Sequence, residues 1–253
     1  MKYLTKQKFS LSIIIYFVFT IFSLIISLRI GAENLDFKKI FDFLFSNSSS
    51  DDSRLFYFSR LPRVLMAFIA GGTFAVCGLA FQIVFKNPLA TPYTTGVTSG
   101  GTLGAVVAIS YPALNFNFGI TSVQLFSQIG SLLVLLLIFT ISSNKKGNMI
   151  NTVLLSGISI GILFTALVML IRYILTPNLL VVVDRWMMGG LDISGYNDFA
   201  GIFPFLIPGL SLLFSQSIKM NYLVSGDETA FSRGINANSV NKIILIGGSL
   251  AVA

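Results

Sequence analysis

The chain has 253 residues, of which 54% are hydrophobic and only 11% are charged, whereas a soluble domain carries about 25% charged residues. It has no histidine and one cysteine, Cys77, which excludes histidine-based catalysis, Cys/His metal sites and an intrachain disulfide. The net charge of +7 comes from bases scattered between apolar segments. Such a distribution is typical of the loops of a membrane protein rather than of a nucleic-acid-binding surface, and Cys77 is expected to be a small buried packing residue.

The first apolar segment, residues 9–28, contains no charge and is long enough to cross a bilayer. The apolar region of a signal peptide is only about 7–15 residues long and ends in small residues. We therefore expect a retained membrane helix whose lysine-rich N-terminus is cytoplasmic. Residues 29–59 are polar and mixed in charge, and they predict a loop with a short surface helix over residues 35–45.

The chain's most distinctive pattern begins with two arginines, Arg60 and Arg63, on either side of a Leu-Pro pair. An uncharged, glycine-containing run over residues 64–85 follows. A short turn with two prolines comes next, and these cannot continue a helix. A second glycine-rich apolar segment begins at Gly96. We predict a membrane hairpin in which small residues let the returning segment pack closely.

Glycines recur at steps of four in two later segments. Gly96, Gly100 and Gly104 would share one stripe of a helix, and so would Gly157 and Gly161. Such stripes allow helices to approach closely in a membrane. The alternative interpretation is a wall of a substrate path, and we favour close packing.

Four further apolar segments predict membrane helices. They cover residues 123–142, 153–171, 200–216 and, incompletely, 243–253. Pro204 and Pro208 are expected to bend the third of them, and residues 176–196, which contain the only tryptophan beside charges, fit the headgroup layer. The sequence therefore predicts an all-α polytopic membrane bundle, with six spans and part of a seventh, in one domain over residues 1–253.

A short polar segment before the last span has the residues of a well-capped helix. Asp227 and Glu228 suit its N-terminus, Arg233 its last turn and Gly234 its C-terminal cap. A short helix outside the membrane fits an interaction element, and the alternative is a loop helix without a partner.

Several of these motifs occur together in one known family. The sequence resembles the membrane permeases of bacterial ABC importers for iron–siderophores, haem and cobalamin. The resemblance is carried by Arg60-Leu-Pro-Arg63, Gly71…Gly78…Gln82, Asn87-Pro88-Leu89-Ala90-x-Pro92, Gly96-Val-x-Ser99-Gly100 and Gly226-Asp227-Glu228-Thr-Ala230-Phe-Ser-Arg233-Gly234. It implies a ten-span permease that forms a homodimer or pairs with a related permease, with the path at the interface. Two ATP-binding cassette subunits and an extracytoplasmic substrate-binding protein are the implied partners, besides the lipid bilayer of the bacterial cell membrane.

Three groups of residues have expected roles in such a transporter. Arg60 and Arg63 are expected to pair with acidic residues of the binding protein, or else to anchor a helix in lipid headgroups. Residues 226–235 resemble the cytoplasmic coupling helix that docks on the ATPase.

The turn after the second span is expected to form the cytoplasmic gate. Its residues are Asn87, Pro88, Leu89, Ala90 and Pro92. Leu89 would be an apolar plug and Asn87 a polar ring member. The alternative is a rigid turn that never meets cargo.

Two other functional classes were weighed: an ion-coupled secondary transporter and a membrane enzyme. The predicted spans have no ionisable residue in their interiors, whereas proton relays and intramembrane catalysis need such groups. The chain also lacks a G-x-x-x-x-G-K-[ST] phosphate loop. We therefore expect a transport subunit without enzymatic activity, cofactor or metal, driven by a separate ATPase. A sodium-coupled carrier that uses backbone carbonyls stays an alternative.

The cargo and the end of the chain give two further expectations. An iron–siderophore is the first expectation for the cargo, followed by haem and cobalamin. Compared with a ten-span permease the chain lacks three spans, so we expect it to insert six spans but to fail in import even with its ATPase and binding protein present. Residues 243–253 would stay at the cytoplasmic interface or be held only by packing on their neighbours.

Overall fold

The computed structural model describes residues 6–30, 55–114, 116, 120–143, 149–191, 196 and 200–253. The regular elements within them are helical, which confirms the all-α prediction; the surface helix expected over residues 35–45 falls outside them. The α-helices are α1 Lys6–Arg29, α2 Leu61–Phe85, α3 Val97–Ser110, α4 Ser122–Ser143, α5 Met149–Ile174, α6 Pro177–Met187, α7 Phe203–Ser215, α8 Ser217–Val224, α9 Asp227–Ser232 and α10 Ala237–Val252. A π-helical turn, Phe56–Arg60, precedes α2, and 3-10 helices cover Pro92–Thr95 and Pro112–Leu114.

All seven predicted apolar segments are helical, but they differ in length. Among the described residues, four helices are long and apolar enough to cross a membrane: Gln7–Leu28, Phe56–Phe85, Ser122–Ser142 and Ile150–Ile174. The apolar helices α3, α7 and α10 have 14, 13 and 16 residues and are therefore only about 20–24 Å long. A hydrocarbon core is about 30 Å thick, so none of these three covers it alone.

Two helix starts differ from the prediction. Helical structure is present from Phe56 rather than from residue 64, because the π-helical turn Phe56–Arg60 runs directly into α2. Pro62 therefore lies within a continuous helical segment, just after this turn, and π-helical turns are a known irregularity within helices. In α7, Pro204 lies in the first turn, where a helix tolerates proline, so that only Pro208 is inside that helix.

Helix α10 also starts earlier than predicted, at Ala237 rather than at residue 243. The Asn236 side chain caps it by accepting a hydrogen bond from the Ser239 amide at 3.2 Å. The polar residues before the apolar run are therefore the first turn of this helix rather than part of a loop.

One compact unit comprises Met1–Ile69 and Leu191–Tyr196. Its described part contains α1, the π-helical turn and the start of α2. The guanidinium of Arg60 donates a hydrogen bond to the main-chain oxygen of Leu28 at 3.4 Å, near the end of α1. A cation is favourable at a helix C-terminus, so Arg60 has a structural contact within this unit. Arg63, in the first turn of α2, is exposed.

The second unit, Ala70–Gly190 and Asn197–Ala253, is a bundle in which glycines set the closest contacts. A Cβ atom at Gly100 would lie 2.5 Å from the main-chain oxygen of Gly130. A Cβ at Gly104 would overlap the main-chain oxygen of Phe126. Helices α3 and α4 therefore touch backbone to backbone, as small residues permit in membranes.

The same kind of contact joins the start of α3 to α5, and α7 to α10. A Cβ at Gly157 would lie 2.6 Å from the main-chain oxygen of Thr95, and one at Gly161 would lie 3.3 Å from the Cα of Gly96. A Cβ at Gly209 would lie 2.8 Å from the main-chain oxygen of Gly247. The glycines of both stripes thus lie at close contacts between helix backbones.

The returning segment of the predicted hairpin packs closely, and its partners are helices that follow it. The close backbone contacts of α3 are with α4 and α5, and α2 is not among its main partners in the described residues. The glycines of α2 agree with this, since a Cβ at Gly71, Gly72 or Gly78 would meet nothing within 4 Å. The chain reverses after α2, but the returning helix packs on helices that follow it in the sequence.

Helix α10 lies in the core of this unit. Ile244 and Leu245 are buried, and Gly248 leaves room for the ring of Phe81 from α2. In α4, Gln128 donates to the main-chain oxygen of Leu250 at 3.0 Å. Of the two arrangements expected for residues 243–253, packing on neighbouring helices is the one observed.

Replacing Gly104 by alanine should destabilise the bundle, because the new Cβ meets the backbone of α4, which cannot move as a side chain can. We expect a loss of about 1–3 kcal/mol, as for other overpacked sites. The matched control is Gly78→Ala in α2, where the space is open and alanine is the better helix former. SDS-induced unfolding of the purified variants in detergent micelles would compare them, and equal stability of both would contradict the close α3–α4 contact.

Candidate functional site

The turn after α2 is closed by hydrogen bonds typical of a Schellman motif. The Lys86 amide donates to the carbonyl of Ile83 at 3.3 Å, and the Asn87 amide donates to the carbonyl of Gln82 at 3.3 Å. Lys86 takes the position that is usually glycine, with φ of 49°. It is the one residue other than glycine with positive φ in the described part of the chain.

A hydrogen bond between a side chain and the main chain stabilises the next part of this turn. The side-chain oxygen of Asn87 accepts a hydrogen bond from the Leu89 amide at 2.9 Å, as in an Asx-turn. Ala90 is buried, whereas Leu89 is 78% exposed. The apolar side chain of Leu89 is therefore exposed, whereas the side-chain oxygen of Asn87 is bonded within the turn.

The turn is joined to α3 by a rigid connection. Thr91 and Thr94 form a reciprocal capping box around the 3-10 helix Pro92–Thr95, in which Pro92 takes the early position that suits it. Gly96, with φ of 71°, ends this helix and starts α3. The two prolines and these caps leave few flexible bonds between α2 and α3.

Helix α9 has the predicted caps with one correction. Asp227 and Glu228 lie in its first turn, preceded by Gly226. The amides of Gly234 and Ile235 donate to the carbonyls of Phe231 and Ala230 at 2.9 and 3.0 Å, which is a Schellman motif with Gly234 at φ of 73°.

Arg233 lies just beyond the last turn of α9 rather than within it. Its guanidinium carbon is 5.8 Å from the ring centroid of Tyr222 in α8, a cation–π distance. The expected pairing of this cation with the helix end is thus replaced by a contact between neighbouring helices.

The structure brings the turn after α2 and the helix α9 together. The Lys86 ammonium lies 2.6 Å from the Asp227 carboxylate, with side chains 47% and 55% exposed. No pattern in the sequence links these two residues, which sequence reasoning therefore missed. Both predicted cytoplasmic segments consequently lie at the same end of the second unit.

One side of α9 is open and partly apolar. The adjacent groove has a volume of about 760 Å³ and is lined by residues of α9 and of the start of α10. Ala230 is fully buried beneath the helix, whereas Phe231 is 81% exposed. Phe231 is part of the sequence motif, but the sequence does not mark it as a contact residue. Its exposure beside the buried Ala230 identifies it as a candidate contact residue.

A second cavity lies between α3 and α5, with a volume of about 610 Å³. No charged residue lines it, and Gly96, Gly157 and Gly161 are part of its wall. Gly96, Gly157 and Gly161 therefore lie both at close helix contacts and in the cavity wall, whereas Gly100 and Gly104 are not in the lining.

The polar groups of this cavity are hydroxyls that are bonded to their own helices. Ser99 donates to the carbonyl of Gly96 at 2.6 Å, Thr102 to that of Thr98 at 2.9 Å, and Thr165 to that of Gly161 at 2.8 Å. Because each hydroxyl proton is already donated to a main-chain carbonyl, these hydroxyls can act only as hydrogen-bond acceptors toward a molecule in the cavity. The wall is polar enough to be wetted but has no charge with which to hold a ligand.

The opposite end of this unit is closed by α6. Val183 of α6 packs on Val106, Ile109 and Val168. A carboxylate oxygen of Asp184 lies 2.6 Å from the guanidinium of Arg172, at the end of α5. The charge of Arg172 is thus compensated in the last turn of α5.

Comparison with known proteins gives consistent results. Residues 19–253 match the FecCD transport family. The hemin transport system permease HmuU of Yersinia pestis is 32% identical, over 90% of this chain and 69% of its own length. The Fe(3+)-citrate import system permease YfmD of Bacillus subtilis is 30% identical, over 95% and 72%.

A solved structure agrees with the fold. It is described as an inward-facing ABC transporter, provisionally of metal-chelate type, and gives a TM-score of 0.74 at 27% identity, over 93% of this chain and 70% of that one. The family match covers nearly the whole chain, and four helices among the described residues are long enough to cross a bilayer. This chain therefore belongs to the FecCD transport family, as a multi-pass permease subunit of an ABC importer.

Proposed function

We propose that this permease imports an iron–siderophore, or a haem- or cobalamin-like complex, delivered by an extracytoplasmic binding protein and driven by two ATPase subunits. The observation that carries the proposal is the family match over residues 19–253, which includes both the turn after α2 and α9. The relatives named above are named for hemin and Fe(3+)-citrate. Both hemin and Fe(3+)-citrate are metal complexes, which is the class of cargo proposed here.

The cavity between α3 and α5 supports this class of cargo. Its volume of about 610 Å³ is within the range of small-molecule sites. A path must bind its cargo strongly enough to admit it and weakly enough to release it. A wall of glycines, apolar side chains and hydroxyls that are already bonded meets the second requirement.

We place the ATPase at α9 and the N-terminus of the permease in the cytoplasm, with the path formed in a dimer of permeases. Helix α9 suits docking because its caps and the buried Ala230 make it rigid before any partner binds. Phe231 projects from it beside the groove, and exposed aromatic side chains are frequent energetic centres of interfaces.

We also place the cytoplasmic gate at the turn that contains Asn87, Pro88, Leu89, Ala90 and Pro92. Leu89, exposed on a turn with few flexible bonds, serves as the apolar plug. Since the side-chain oxygen of Asn87 is bound to the Leu89 amide, the contribution of Asn87 is to hold Leu89 in place.

The function is tested by uptake into cells that carry the full-length permease, the ATPase and the binding protein. Radio-iron-labelled hydroxamate siderophore, ferric citrate, hemin and labelled cobalamin would be offered separately. We expect uptake of one iron chelate, haem or cobalamin that disappears when the ATPase carries an inactivating substitution. Uptake that persists without ATP hydrolysis but collapses with the sodium gradient would favour the ion-coupled carrier instead.

Replacing Phe231 by alanine should weaken binding of the ATPase by about 30-fold, the effect of losing an interface hot spot. Phe74→Ala is the matched control, because Phe74 is an exposed phenylalanine within α2. Affinity of the ATPase for the permease in nanodiscs would be measured for both. Equal affinities would remove Phe231 from the interface.

Reversing Arg60 and Arg63 to glutamate should slow association of the binding protein by about 10-fold at low salt, with a smaller effect at high salt. Because Arg60 also contacts the end of α1, Arg63→Glu alone should reproduce most of this loss without altering membrane insertion. Surface plasmon resonance on nanodisc-bound permease would measure the rates. Unchanged association in the double variant would leave headgroup anchoring as the role of both arginines.

A further inference from the structure

Lys86 occupies a backbone position that disfavours its residue type. A left-handed conformation is sterically unfavourable for a residue with a Cβ atom, and the C′ position of a Schellman motif is usually glycine. Yet Lys86 adopts φ of 49° there. Residues held in such a conformation concentrate at functional sites, so the side chain itself is the feature to explain.

That side chain makes one contact that glycine could not make. Its ammonium lies 2.6 Å from the Asp227 carboxylate, at the N-terminus of α9. Lys86 and Asp227 are 141 residues apart in the sequence. The polypeptide chain therefore connects the turn to α9 only through the helices between them. The ion pair is therefore a direct connection between the turn and α9.

Helix α9 has a defined contact at each of its ends. Its C-terminal end is closed by the Schellman motif at Gly234 and contacts α8 through Arg233 and Tyr222. At its other end, Asp227 combines with the positive end of the helix dipole and with Lys86. A displacement of α9 is thus applied at its N-terminus to Lys86, and through the closed turn to Leu89.

We propose that the Lys86–Asp227 ion pair is the link through which movement of α9 changes the position of the turn that carries Leu89. This inference rests on the proposed function, in which α9 receives the ATPase and Leu89 closes the gate. Such a link requires a long cationic side chain at position 86, which accounts for lysine rather than glycine at this backbone position.

The experiment exploits the fact that the link and the fold make opposite demands at position 86. Lys86→Gly removes the cation and relieves the backbone strain, so its thermal unfolding midpoint should equal or exceed that of the parent protein. The ratio of uptake to ATP hydrolysis should nevertheless fall about 1.5- to 5-fold, the range expected for one exposed ion pair. Asp227→Asn should have the same effect from the other side, and Lys219→Ala, which removes an exposed lysine of α8, should have none.

A structural readout accompanies the ratio. Cysteines at position 89 in two permease subunits should cross-link with a yield that depends on the nucleotide state of the ATPase. In Lys86→Gly this dependence should weaken, and the charge exchange Lys86→Asp with Asp227→Lys should restore part of it.

The outcomes separate the link from the function on which it rests. If cross-linking in the parent protein follows the nucleotide state and Lys86→Gly behaves in the same way, the link is refuted while the proposed gate stands. If cross-linking in the parent protein never varies, the gate is wrong and the link falls with it. Weakened dependence in both single variants, with normal unfolding midpoints, establishes the link.

Discussion

The second unit depends on backbone-to-backbone contact between helices. In a bilayer no hydrophobic force drives helices together, because lipid tails are as apolar as leucine side chains. Instead, the many dispersion contacts between closely approaching glycine-containing backbones hold the helices together. The contacts of Gly100 and Gly104 with α4, and of Gly157 with the residues before α3, place α3 between two longer helices. The turn before α3 and the cavity beside it are positioned by this arrangement.

The existence of the helices could be predicted because each apolar run is long or bounded by strong stop signals. The partners of α3 could not be predicted, since a stripe of glycines shows that a helix approaches something closely without showing which helix. The helix starts were harder to predict. The π-helical turn Phe56–Arg60 extends helical structure ahead of the apolar run, and the cap at Asn236 places residues 237–242 in the first turns of α10.

In the candidate site, too, local features could be predicted from the sequence and tertiary contacts could not. The caps of α9 follow from local residues, and Gly234 adopts the left-handed conformation that its position predicted. The ion pair of Lys86 with Asp227 depends on the tertiary fold, and neither residue has a neighbour that signals the other. Leu89 could be singled out from the turn motif, and the structure adds that it is exposed. Phe231 is an ordinary apolar residue in the sequence and stands out only because it is exposed beside the buried Ala230.

In the mechanism proposed above, the ATPase acts on the end of the permease where α9 and the turn after α2 meet. Hydrogen–deuterium exchange of the permease in nanodiscs, with and without the ATPase, would test this placement. We expect slower amide exchange in residues 226–238 and in residues 86–92 when the ATPase is bound, with no change in α6. Protection that is confined to α6, or that is absent from both segments at the α9 end, would contradict it.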